Sequence, residues 1–373
     1  MKRFITAFLI TLIIPCVCLA QEEQSYRDYL NSFDLSAFEV LDDDSKKFLE
    51  DLGLSDFDYN GISSLSLEKF FTHIGNVLLN KAEGPLKSGL VVICFIILSS
   101  FFRSMNSELN KSEMSSLYST VSCLAISIFL VVKVTDCIAL SASTIKLCAD
   151  FSFAFFPAFC VIVATSGGAV TSLSVNTTLL TLAQGLNYIT EFLFLPLTNC
   201  FLVLGICSGI RQELNISSVT EALKKLITTS VSTISALFVS ILSLKTVVAA
   251  RTDALGLRSM RFAVNSIVPV IGSSISEGLL SIQSYSGLIK SSVGVVGIIA
   301  IAAIFLPAII EVNLWRAVLS LSCICADVFG DKASVGAIRT FGNTLLIIDV
   351  LLILTMVTTI ISIGILVAAK TVV

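Results

Sequence analysis

From about residue 86 to its end the chain is a succession of apolar runs, and few folds can dispose of that much apolar surface. Runs at 86–103, 116–135, 147–166, 189–209, 227–249, 291–313 and 344–369 each approach the ~20 residues that a helix needs to cross about 30 Å of hydrocarbon. In lipid every backbone N–H and C=O has to be satisfied inside the protein, and runs this long and continuous meet that demand as helices. Composition agrees: 55% of residues are hydrophobic and 14% charged, against about 25% charged in ordinary soluble domains. The mean hydropathy is +0.93. The expectation is an all-α, polytopic integral membrane protein with about seven spans.

The first twenty residues have the form of a secretory signal peptide. Lys2 and Arg3 precede an apolar run from Phe4 to Val17, and Cys18-Leu19-Ala20 leads into Gln21-Glu22-Glu23. Cleavage after Ala20 puts the mature N-terminus outside the cytoplasm, with an uncleaved anchor as the alternative. The expected division is then a signal peptide at 1–20, an acidic extracytoplasmic helical region at 21–85 and a transmembrane domain at 86–373. Residues 21–88 carry 14 acids and 6 bases, whereas 89–373 carry 13 and 16. An acidic head argues against nucleic acid, and against anionic lipid, as its partner. Within it, Ser66 can cap a helix whose apolar face is Leu67, Phe70, Phe71, Ile74, Val77 and Leu78, with Gly84-Pro85 expected to end it. So small a head has little core of its own and is expected to rest on the membrane or on another protein.

Two stretches resist assignment. Residues 169–188 are apolar but rich in Thr, Ser and Asn, and 262–289 mix Ile and Val with serines, Glu277 and Gln283. Either suits a polar span, a re-entrant hairpin or an interfacial helix. Lys and Arg divide evenly between the two sides in a seven-span arrangement, so the positive-inside rule does not fix the span count. Seven spans are favoured only because the cluster Arg251 to Arg261 then faces the cytoplasm.

Missing chemistry excludes several functions. His73 is the sole histidine, so a multi-histidine metal site or an intramembrane Ser–His dyad cannot be built in the membrane body. No G-x-x-x-x-G-K-[S/T] run occurs, so the chain is not a P-loop ATPase. Eleven cysteines are present, nine of them in or beside apolar segments, where they suit packing. No cofactor or small-molecule ligand is implied. Ionisable residues within or at the ends of spans remain: Asp150, Glu191, Lys245, Glu311 and Asp349. A charge at mid-bilayer costs roughly 3 kcal/mol, so each either faces a bundle interior or water, or reaches the interface. Gly294, Gly297 and Ala300 share a helix face that permits close approach, and Pro157 and Pro307 are expected to kink their helices.

One segment is more specific. Asp253-Ala254-Leu255-Gly256-Leu257-Arg258-Ser259, then Phe262 and Ile267-Val268-Pro269-Val270-Ile271-Gly272, resembles the central signature of the stage III sporulation protein AE family. Phe156-Pro157-Ala158, Ala164-Thr165-Ser166-Gly167-Gly168 and Asp327-Val328-Phe329-Gly330-Asp331 resemble it too, and the order of parts is similar along essentially the whole chain. The resemblance implies a subunit of the complex that links mother cell and forespore during endospore formation, in the mother-cell membrane facing the forespore. Implied partners are the other stage III membrane, ring and ATPase subunits, together with membrane lipid. It carries over no catalytic residue.

In that segment Asp253, Arg258, Arg261, Pro269 and Gly272 stand out as structural or gating candidates. Ile267 to Gly272 can dip into the bilayer or lie on it as a connector, and Arg258 is expected to pair with a carboxylate such as Asp253 or with lipid phosphate. Two functional classes compete: a non-enzymatic subunit of a sporulation channel, and a stand-alone secondary transporter working through intramembrane acids. A membrane enzyme is disfavoured for want of histidine and recognised motifs.

Overall fold

The computed structural model describes residues 36–52, 67–107, 112–190, 192, 195–210, 217–267 and 272–368. Among them the regular elements are all helical. A 3-10 turn at Ser36–Val40 and α1 (Asp43–Asp51) precede α2 (Leu67–Ser107), α3 (Ser112–Thr165), α4 (Ala169–Ile189) and α5 (Leu195–Ile210). Then come α6 (Ser217–Ile267), α7 (Gly272–Val328) and α8 (Lys332–Ala368). The seven expected runs fall on six of these helices, and α2, α3, α6, α7 and α8 are long and apolar enough to cross a membrane.

Two expected breaks are absent. Gly84-Pro85 does not end the head helix, because α2 continues through it to Ser107. Proline removes one backbone bond, but Lys81 and Gly89, about one turn to either side, both dock on α7 and hold the axis. Likewise 116–135 and 147–166 form one helix, α3, whose 54 residues extend about 81 Å at 1.5 Å per residue. The connecting residues 136–146 contain no Gly or Pro. They bury Cys137, Ile138, Ser141 and Ile145 and turn Asp136, Ser143 and Lys146 outward.

Side-chain contacts fix the register of the bundle. Lys81 meets Glu311, Gly89 lies against Val318, and Ser99 donates to Asp331, so α2 runs parallel to α7. Phe159 and Phe155 lie over Gly294 and Gly297, so α3 runs antiparallel to α7. Cys123 faces the carbonyl of Ala333, and Cys148 faces Thr359, which runs α3 alongside α8. Ile227 and Val231 of α6 share a core cluster with Ile347 and Leu351 of α8, so the apolar runs of α6, α7 and α8 and the second half of α3 share one level. The run 86–103 of α2 and the first half of α3 stand about 35 Å further along the bundle axis at 1.5 Å per residue. A slab of hydrocarbon about 30 Å thick and perpendicular to the bundle takes in one level and not both.

The head rests on the chain's own helices. Phe38 sits edge-on to Phe151 and Phe155 of α3, at ring-centroid distances of 5.5 and 5.7 Å. Phe48 of α1 packs on Phe70 and His73 of α2, and Ala37, Leu41, Leu49 and Leu52 join the same core. Gly294 and Gly297 admit the Phe159 and Phe155 rings rather than a second backbone. The nine described cysteines are free thiols, and Cys123, Cys137, Cys148 and Cys160 are buried, as packing residues would be.

Candidate functional site

The first cluster forms where α3 turns into α4. Gly167 has φ 93°, the Gly168 N–H bonds back to the Val163 carbonyl at 3.0 Å, and the Gly168 carbonyl accepts from Ser172 at 2.8 Å. Gly168 thus stands at the N-cap of α4 with no side chain to satisfy the exposed N–H groups. Asp253 of α6 supplies the missing oxygens. Its carboxylate accepts the N–H of Val170 at 2.7 Å, the N–H of Thr171 at 2.9 Å and the Thr171 hydroxyl at 2.7 Å. Asp253 is 5% exposed. An anion at a helix N-terminus also meets the positive end of the helix dipole.

The turn from α7 to α8 uses the same backbone geometry with a local cap. Gly330 has φ 67° and the Asp331 N–H bonds to the Ala326 carbonyl at 3.0 Å. Here the buried Asp331 carboxylate accepts the Ser334 hydroxyl of its own helix at 2.7 Å. The contrast defines what Asp253 does: it lends α4 a cap that the Gly-Gly turn lacks, and so ties α6 to the α3–α4 turn.

A second cluster crosses the bundle. Lys81 of α2 pairs with Glu311 of α7 at 2.8 Å. Asp349 of α8, 6% exposed, accepts from Arg316 at 2.5 Å and from the Asn313 amide at 2.8 Å, both on α7. Arg316 also donates to the Asn313 oxygen at 3.0 Å. Lys224 of α6 donates to Asn343 of α8 at 3.0 Å. Glu311, Asn313 and Arg316 lie within five residues of one another on α7, so these links form a transverse polar belt joining α2, α7, α8 and α6.

The sequence-derived candidates are distributed as follows. Asp253 is the buried cap, and Glu311 and Asp349 belong to the belt. The expected Asp253–Arg258 pair does not form, because the carboxylate is committed to α4 while Arg258, five residues on, is exposed. Lys245 donates to Thr178 of α4 at 2.9 Å, and Asp150 is exposed on α3. Gly272 begins α7. The signal peptide, Glu191, Pro269 and the side chain of Arg261 lie outside the described residues. Among the described residues no group of three or more His, Cys, Asp or Glu side chains could hold a metal ion.

The family model for stage III sporulation protein AE matches residues 54–370, an interval that contains both clusters. The chain belongs to the stage III sporulation protein AE family. A relative named stage III sporulation protein AE, from Bacillus subtilis (strain 168), is 24% identical over 261 residues, which cover 68% of this chain and 64% of that protein. The match therefore spans less than two thirds of the relative's length. No solved structure matches.

For this family member, sequence reasoning found the acids but missed their partners. Lys81, Asn313, Arg316 and Thr171 were not singled out. A usable signal existed for two of them: Asn313 and Arg316 stand three apart in a strongly apolar helix, a spacing that puts both on one face. Nothing local to Thr171 announces an acid 82 residues away.

Proposed function

We propose that this sporulation-family membrane protein is a non-enzymatic, integral subunit of the transenvelope channel complex between mother cell and forespore. The family match over residues 54–370 carries the reading. It sits in the mother-cell membrane facing the forespore, with the mature N-terminus outside the cytoplasm, and works with stage III membrane, ring and ATPase subunits. Residues 1–20 serve as its signal peptide, and the level shared by the apolar runs of α6, α7, α8 and the second half of α3 is the part that crosses the membrane.

The disposition of charge supports a subunit over a stand-alone transporter. A transporter that works through intramembrane acids needs them free to exchange a proton or ion. Asp349 is instead held by Arg316 and Asn313, and Asp253 by the end of α4. These acids join helices. Deleting the gene in the sporulating host tests the role: forespore gene expression should fail after engulfment and return when the wild-type chain is supplied. Normal spores in the deletion strain would contradict it.

A further inference from the structure

From Leu226 to Ala250 helix α6 carries a single charged side chain, Lys245. At 1.5 Å per residue Lys245 lies about 12 Å along α6 from Asp253 and about 31 Å from Lys224, four residues inside the end of the apolar run 227–249. Its ammonium bonds sideways to the Thr178 hydroxyl at 2.9 Å and the side chain is exposed. The ion pairs among the described residues do not include it. A lysine left so within an apolar run is costly unless a counter-charge or water meets it.

Lys245 stands in a cleft of about 370 Å³ between α4 and α6. Thr177, Thr181 and Gly185 line it along α4, and Ile234, Phe238 and Ile241 along α6. Both sets recur at three- or four-residue steps, so the cleft follows the two helices as a straight groove, one wall of Thr and Gly ending at Ile189 and the other of large apolar residues. Small residues on one wall allow a further helix to approach closely. A lipid chain would fill the groove yet bring no charge to that depth, because lipid phosphates lie at the interface.

We propose that this groove seats a transmembrane helix of another subunit, with an Asp or Glu of that helix paired to Lys245. The inference goes beyond the proposed function by naming how a membrane partner is recognised, and it does not require that partner to be a ring or ATPase subunit. In sporulating cells, a photo-crosslinking residue placed at the exposed Thr181 of the full chain should give an adduct with one membrane protein. Lys245→Leu and Lys245→Glu should lose that adduct, and Lys245→Arg should keep it, which also shows that the groove still folds. Replacing the acid of the captured helix by Lys should restore the adduct to Lys245→Glu. An adduct to lipid alone, none to protein, an undiminished adduct in Lys245→Leu, or failure of the charge swap would overturn the proposal. Co-purification of the other subunits with Lys245→Leu is read separately, and its outcome bears on the channel-subunit reading alone.

Discussion

Asp253 and Thr171 lie 82 residues apart and are joined by two hydrogen bonds, from the Thr171 N–H at 2.9 Å and from its hydroxyl at 2.7 Å. The pair links the Asp253 segment of α6 to the Ser166-Gly167-Gly168 turn, two features that are separate in the sequence. The carboxylate does for α4 what an N-cap side chain would do, from another helix. That long-range cap gives Asp253 a structural part with a definite partner.

Asp253→Asn keeps one acceptor oxygen and loses the charge, whereas Asp253→Leu removes the cap. Bonds to a charged acceptor contribute about 1.5–3 kcal/mol each, so the leucine variant should lose at least about 2 kcal/mol of stability. Thermal unfolding in detergent should rank the variants wild type, Asn, Leu from most to least stable. Equal midpoints would exclude the cap.

Arg316 and Asp349 differ from Lys81 and Glu311 in burial. Asp349 is nearly enclosed, so Arg316→Leu leaves a buried carboxylate unpaired and should cost about 3–5 kcal/mol, while Arg316→Leu with Asp349→Leu should recover much of it. Lys81 is 41% exposed and Glu311 25%, so their pair is less enclosed and its coupling should be the smaller of the two. Double-mutant cycles on detergent-solubilised protein measure both, and equal coupling energies would contradict the assigned burial.

Gly297 and Gly342 give a matched pair. A Cβ at Gly297 would stand 2.5 Å from the Phe155 ring, whereas one at Gly342 meets nothing within 4 Å. Gly297→Ala should destabilise by about 1–3 kcal/mol through overpacking. Gly342→Ala should be neutral or stabilise by up to about 1 kcal/mol, from helix propensity. Comparing the two unfolding midpoints checks the α3–α7 register.

Gly330, at φ 67°, requires the left-handed region that alanine resists and asparagine tolerates. Gly330→Ala should cost about 1–2 kcal/mol and Gly330→Asn less, measured the same way. The same order is expected at Gly167, whose φ is 93°.

Much of the fold was legible because apolar run length and helical periodicity depend on local composition. The Gly167-Gly168 and Gly330-Asp331 segments stood out through the family resemblance, and the positive φ of Gly167 and Gly330 is what shapes them into turns. The continuity of α2 through Pro85 was not, because the contacts that override the proline come from α7, more than 200 residues away. Residues 136–146 fell between two expected runs because Asp136 and Lys146 interrupt the apolar sequence, yet both face outward and suit a continuous helix. The two levels of the bundle follow from pairings such as Ser99 with Asp331, which no local pattern encodes. Of the site, the acids were readable by their scarcity in apolar sequence. Their partners were not, since pairing depends on register between helices.

The most direct test of the central claim is purification of the tagged chain from sporulating cells under mild solubilisation, with co-purifying proteins identified by mass spectrometry. The account predicts recovery of stage III ring proteins and the secretion-type ATPase together with this chain. Recovery of the chain alone, under conditions in which other membrane complexes of the same cells stay intact, would contradict it.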